Sequence, residues 1–422
     1  MSKQIRTAIL ALMLSAGGAG PAAVAAEAGA EIAALQAQIA ALLQRVEELE
    51  RTVAGTAVLH ERITAVEATN ERQTDQLAQG LAATTAMGWA RNVRWKGDLR
   101  YRHEQFEVEG VTSDRVRQRI RARLGLEAKL SDTLAAGFQI ATGEPGNPRS
   151  SNATLDDANL GKQILLDLAY VDWRPRPGLL VTAGKQKQPW FRAGTSMFFD
   201  SDVNPEGVAV QYGGRSGPFA RAWGFWLDER AAAADTNLLG GQLGYAFGSG
   251  VTVAAGYWDY GAVADRQILG YSGAPAGNST YDCGTQRCYR HDYDVAVLDA
   301  QWSGQLGGRP LTLFGGYLEN LAVSHDGSGY DLGLVVGRAG DPGSWEAGLL
   351  WQQVEADAQF GALYESDFAD GLTQGRGFVL HGVWVPAKNV NLRATYFVNE
   401  RSYDRPAEAD YRRLQFDLNL KF

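Results

Sequence analysis

Cysteine, methionine and histidine are scarce in this chain, at 2, 4 and 5 of 422 residues. The five histidines (His60, His103, His291, His325, His381) are dispersed. None forms an H-E-x-x-H pair, and neither a G-x-S-x-G elbow nor a G-x-x-x-x-G-K-[ST] loop occurs. The residues therefore ask for no cofactor and no metal, and the chain reads as a non-enzyme. Beyond the extreme N-terminus no apolar run approaches the about 20 residues of a membrane-crossing helix, which excludes a helical membrane protein. Positive charge is not in excess: 40 Lys and Arg stand against 48 Asp and Glu, a formal charge of −8. No nucleic-acid partner is expected from that balance. With 45% hydrophobic and 21% charged residues the bulk is not disordered. What the chain has in plenty is glycine, 50 residues without a collagen period, and this points to many tight turns in a large β protein.

The N-terminus sets the compartment. Lys3 and Arg6 precede an uncharged stretch, Gly17, Gly18, Gly20 and Pro21 break it, and small residues at 23–26 follow. Residues 1–26 read as a secretory signal peptide. Cys283 and Cys288 then belong to an oxidising compartment, where a small-loop disulfide is the default. From 27 to 80 there is no proline, and Ile32, Ile39, Val46 and Val53 recur every seven residues, each followed at the d position by Leu35, Leu42 or Leu49 over the first three repeats. This heptad seam predicts a periplasmic coiled coil and self-association.

From residue 89 to 422 the period changes to two. Arg115, Arg117, Arg119, Arg121 and Arg123 share one parity, and Ile120, Ala122, Leu124 and Leu126 the other. Arg94, Lys96, Asp98, Arg100 and Arg102 alternate in the same way with Trp95, Leu99 and Tyr101. About sixteen such strands are predicted, joined by alternately short and long connections. An even count with alternating loop length is the pattern of an all-β transmembrane antiparallel barrel, with short periplasmic turns and long outer loops. The apolar parity carries aromatics near strand ends (Trp95, Trp302, Trp345, Trp384), as lipid-interface girdles require. A barrel of this size holds water in its lumen.

Several segments resemble a known family. Phe198–Ala209 is similar to the D-x-D-x-N-P-E-G signature of the proteobacterial outer-membrane putative porins. Trp95–Arg102, Arg117–Gly125, Leu166–Asp172 and Ala183–Lys185 follow that family's order. The layout is also similar to that of phosphate-selective porins, although those have their own lysine-rich lumen pattern. The resemblance covers about residues 90–422. It implies a passive outer-membrane channel, a homotrimer, and a third outer loop folded into the lumen.

The basic ladder is the main electrostatic feature. On the lipid face each charge would cost about 2–4 kcal/mol near the midplane, so Arg94, Lys96, Arg100, Arg102 and Arg115 to Arg123 are expected to line the lumen. There they would attract anions, unless Asp98, Glu104 and Glu127 neutralise them. The third outer loop, about 189–205, offers Arg192, Asp200, Asp202 and, at its exit, Glu206 as constriction residues. Asp200, Asp202 and Asn204 share the 1, 3, 5 spacing of a calcium loop, but Pro205 stands where that loop needs glycine. Phe422 ends the lipid-facing run Leu414, Phe416, Leu418, Leu420, and resemblance to outer-membrane proteins makes it an assembly signal read by the barrel assembly machinery. The expected function is an anion-preferring diffusion channel in outer-membrane lipid. The rival reading is an envelope tether, whose barrel is an anchor and whose coiled coil contacts the cell wall.

Overall fold

In a computed structural model of the chain, residues 22–86, 92–111, 113–269 and 274–422 are described. The reading of 1–26 as a signal peptide falls mostly outside them. The chain divides into two units, 1–88 and 89–422. In the first, Ala22–Ala86 is a single helix, α1. Its heptad residues Leu35, Ile39, Leu42, Val46 and Leu49 are all exposed in the single chain.

In the second unit the alternating stretches become sixteen long strands among the described residues. These are β1 (Val93–Val108), β2 (Arg115–Lys129), β3 (Leu134–Thr142), β4 (Ile164–Arg176), β5 (Leu179–Lys185), β6 (Glu206–Tyr212), β7 (Gly217–Asp228) and β8 (Thr236–Ala246). They continue as β9 (Val251–Gly261), β10 (Tyr293–Leu306), β11 (Arg309–Asn320), β12 (Ser328–Gly337), β13 (Trp345–Val354), β14 (Gly375–Ala387), β15 (Val390–Arg401) and β16 (Ala409–Lys421). Each pairs antiparallel with its sequence neighbours, and β16 returns to β1, from Asp98 opposite Lys421 to Val108 opposite Tyr411. The sheet is a closed barrel without an edge.

Turn chemistry explains the short connections. Gly307 and Gly308 both take positive φ, 57° and 75°, as a two-residue hairpin between β10 and β11 demands. Four of the long connections are L2 (143–163), L3 (186–205), L5 (262–292) and L7 (355–374). Cys283 and Cys288 are bonded across a small hairpin in L5, with Cα atoms 5.8 Å apart.

Parity places the side chains. Leu99, Leu124, Trp173, Leu243, Leu298, Leu332, Trp384 and Phe416 point outward and stay exposed, an apolar belt around the barrel. The interior differs from expectation. The lumen is not simply water-filled, because L3 and L7 fold into it and build a hydrophobic core on the wall from β7 to β13. Trp190 and Phe199 of L3 pack on Trp258, with ring centroids 5.8 and 5.3 Å away. Phe360 of L7 stacks near Tyr260 and Tyr293 at 5.2 and 5.5 Å. A sixteen-strand ring is too wide for its own side chains to fill, so the inserted loops supply the missing volume.

The seam between β1 and β16 depends on one small residue. The backbone of Phe422 exchanges two hydrogen bonds with Gly97, at 2.9 and 3.0 Å. The Phe422 ring lies across Gly97, and a Cβ there would stand 2.5 Å from it and 2.8 Å from the Arg123 carbonyl. Gly97→Val is expected to destabilise the closed barrel by about 1–3 kcal/mol, the range for overpacking, read as a lower midpoint of the folded band in heat-modifiability gels.

Candidate functional site: a charged constriction

L3 crosses the barrel because the wall offers acceptors for its backbone. Gln242 on β8 accepts from Phe191 N–H at 2.8 Å and donates back to its carbonyl at 3.0 Å. Gln301 on β10 accepts from Gly194 N–H at 2.9 Å, and Gln352 on β13 from Met197 N–H at 3.1 Å. Arg149 of L2 then ties L7 down, donating to the carbonyls of Gly361, Tyr364 and Gly371 at 3.2, 3.3 and 2.9 Å. The three loops leave a cavity of about 510 Å³ against the wall formed by β15, β16, β1 and β2.

Eight cationic side chains line this constriction: Arg100, Arg102, Arg121, Arg123, Arg149, Lys187, Arg192 and Arg393. Five acidic ones face them: Asp200, Asp202, Glu365, Asp367 and Asp417. The ladder therefore divides. Arg100, Arg102, Arg121 and Arg123 stand in the constriction, with Arg100 directly opposite Arg121 and Arg102 opposite Arg119 in register. Arg115, Arg117 and Arg119 line a vestibule of about 540 Å³ on the long-loop side. Arg94 lines the opposite mouth, and Lys96 is paired there with Glu127.

Much of the ladder is neutralised. Asp98 holds Arg121 at 2.8 Å and Arg123 at 2.7 Å. Glu104, with no exposed side-chain surface, sits among Arg117 at 2.7 Å, Arg413 at 2.5 Å and Arg102 at 3.5 Å. Asp417 holds Arg102 at 2.6 Å. Asp367 of L7 reaches Arg413 at 2.8 Å and Arg102 at 3.2 Å. Other cations make their closest bonds to neutral oxygens, although Arg100 also stands 4.0 Å from Asp417. Arg100 donates to Asn419, Lys187 to Asn204, Arg192 to the Phe199 carbonyl and Arg393 to Thr395, at 2.9, 2.7, 2.5 and 3.1 Å.

The loop acids do not all carry charge at neutral pH. Burial, with Asp202 beside it, pushes the Asp200 carboxyl up to about 7, against the pull of N–H donors from Asp202 and Ser366 at 2.8 and 2.9 Å. Burial, then Asp200 and Asp367, push Glu365 well above the usual carboxylate range. Burial works on Asp367 as well, but Arg413 and Arg102 overcome it and hold that carboxyl low. Asp202 is likewise buried and held low by Arg121, Arg100 and Arg123.

Of the four constriction residues expected from L3, Arg192, Asp200 and Asp202 line the cavity. Glu206 does not. It opens β6, pairs with Lys185 at 2.8 Å and stands on the outward parity at the rim. The calcium spacing is also spent otherwise: Asp200 and Asp202 accept protein donors, and Asn204 donates to Asp167 at 2.7 Å. Sequence reasoning missed Lys187, Arg393, Arg413 and all of L7. The alternation at 413–417 was visible, and barrel closure sets β16 beside β1, which would have placed Arg413 and Asp417 against the ladder.

Comparison with known proteins follows the same line. The sequence profile of the family described as "Putative porin" matches residues 105–280 and 291–422. No curated protein is similar enough to count as a relative. Among solved structures, Pseudomonas putida OprB at high pH superposes with a TM-score of 0.56 at 12% identity, over 81% of this chain and 97% of its own. Salmonella typhi OmpF in complex with daunomycin gives 0.49 at 13% identity, over 78% and 97%. The superposition on the Pseudomonas putida structure shows a shared barrel fold.

Glu104 is the charge most dependent on its partners. In Glu104→Gln the guanidiniums of Arg102, Arg117 and Arg413 lose their common acid in a buried site. Breaking such a pair typically costs about 3–5 kcal/mol, so the unfolding midpoint in denaturant should fall sharply while a matched Glu109→Gln in the exposed turn leaves it unchanged.

Proposed function

The chain belongs to the putative porin family, an outer-membrane porin channel rather than an enzyme, and from that membership we propose passive diffusion of small hydrophilic solutes with a preference for anions. The observation that carries the preference is the constriction, where eight cations meet five acids and two of those acids have raised pKa values. A cationic surplus in a narrow, low-dielectric passage concentrates anions. The ladder contributes less than its number suggests, since Asp98 and Glu104 cancel several members. Lys187, Arg192 and Arg393, held on neutral oxygens, and Arg100, only distantly paired with Asp417, carry more of the field.

We further propose that α1 is a periplasmic coiled coil. Its exposed heptad seam supports association with other copies, in a homotrimer as the family resemblance implies. Contact of the coil with the cell wall remains part of the rival tether reading, under which a planar bilayer would show no discrete conductance. Phe422 is proposed as an assembly signal. Deleting it is expected to lower insertion in cells far more than it lowers refolding in detergent, and equal losses would reduce Phe422 to a strand anchor.

The selectivity is tested by reversal potential across a salt gradient. Combined Arg100→Gln, Lys187→Gln and Arg393→Gln should lower the anion-to-cation permeability ratio several-fold, and an unchanged ratio would sink the assignment. The pH dependence has a definite sign. As pH rises through about 7, Asp200 loses its proton and adds negative charge to the constriction, so anion preference should fall. Asp200→Asn should flatten that dependence between pH 6 and 8.

A further inference from the structure

L3 is seated on the wall by neutral side chains. Gln242, Gln301 and Gln352 accept its backbone N–H groups, and that seat needs no charge. Two carboxylates nevertheless stand among them. Asp299 on β10 and Asp331 on β12 flank Gly316 of β11 in register, one on each side. Both are buried under L3, at 6% and 4% exposure.

Their surroundings leave them unbalanced. Asp299 accepts one long contact, from Ala193 N–H at 3.5 Å, and neither oxygen of Asp331 accepts a hydrogen bond. Arg192 is the cation that faces both, but its guanidinium is bonded to the Phe199 carbonyl. One positive charge held elsewhere does not balance two buried negative ones. Ser196 of L3 stands beside Asp331. It is 3% exposed, and its hydroxyl also has no hydrogen-bond partner.

These groups converge on an open point. Gly316 has no side chain, and a Cβ there would lie 3.1 Å from Asp331 Oδ1 and 3.5 Å from Asp299 Oδ1. The carboxylates thus border the space that any other residue would fill. Phe198 of L3 closes it, with its ring 2.8 Å from the same position.

We propose that Asp299, Asp331 and Ser196 hold a calcium ion over Gly316, beneath L3. One divalent cation cancels both carboxylates. The donors are hard oxygens, and two carboxylates with a hydroxyl supply most of the about six to eight that calcium takes. Magnesium fits less well, because it demands octahedral geometry and keeps several waters, for which the Phe198 ring leaves little room. With ligands from the wall and from L3, the ion pins the loop to β10 and β12. Two strands and a loop contribute the groups, so no sequence spacing marks the site. The inference depends on the barrel and on where L3 lies, not on which solutes pass.

Equilibrium dialysis with radioactive calcium tests it on the full chain, refolded in detergent and stripped with a chelator. The native barrel is expected to retain one ion, and Asp299→Asn with Asp331→Asn to retain none. Glu107→Gln with Glu109→Gln, which alters two exposed acids, should leave retention unchanged. Calcium kept by the Asp299 and Asp331 double variant sits elsewhere, and that result overturns the proposal. So does a native barrel that retains no calcium, which leaves the two carboxylates sharing a proton. Should the double variant fail to fold, Asp331→Asn alone decides, since that carboxylate accepts no bond the fold would lose. Its calcium affinity should fall at least about ten-fold, as loss of a charged ligand implies, and an undiminished affinity overturns the site. The pinning role has its own readout. Chelator should lower the unfolding midpoint of the native barrel but not that of the double variant, and an equal response in both refutes it.

Discussion

Inside a bilayer no water is available to satisfy a backbone N–H or C=O, and each group left unpaired costs several kcal/mol. The pairing of β1 with both β2 and β16 is the interaction that meets this demand. Without it, two strands of 16 and 13 residues would present open edges to lipid. With it, every side-chain position in the wall is assigned by parity alone, outward to acyl chains or inward to the lumen. The arginines of β2 cannot then choose their environment. Closure puts them inside, and closure also brings the acids of β16 across from them.

Closure creates a second problem, which is volume. Sixteen strands enclose more space than their inward side chains fill, and an open cylinder of that width would pass solutes with little discrimination. The chain answers with two of its long connections. Their aromatic residues seal the half of the interior bounded by β7–β13, where Trp223, Phe225, Trp258 and Phe314 face inward and are buried. The passage is displaced to the other half, against β15, β16, β1 and β2. The hydrophobic effect thus decides where the water-filled path runs, and the strands opposite supply its charge.

This division explains what could be read from the residues and what could not. About sixteen strands were legible because period-two alternation is a local signal and alternating loop length repeats along the chain. The lumen parity of Arg115 to Arg123 was legible for the same reason. The inner core was not, because on β7 both parities carry large apolar residues: Trp223 and Phe225 point in while Trp226 points out. A strand buried on both faces gives no alternation to interpret. Ion pairs such as Arg102–Asp417 and Glu104–Arg413 join residues about 300 positions apart, and only closure makes them neighbours. Glu206 was misplaced because alternation restarts at β6, and counting onward from within L3 could not supply its phase.

The pairing of the ladder has its own physical logic. Like charges spaced at two-residue intervals along a strand, with lipid behind them and a loop plug in front, would repel strongly if left bare. Asp98, Glu104 and Asp417 make the wall foldable by cancelling part of that repulsion, and the bond lengths show them fully engaged. The field a solute meets is then a difference between large opposing sets rather than a sum of arginines. Such a difference is sensitive to single charges. The charges best placed to alter it are those that no strand acid holds closely, which belong to L3 and to cations whose nearest partners are neutral oxygens. Selectivity is therefore set where the loops meet the wall, while most of the basic ladder serves to hold the wall together.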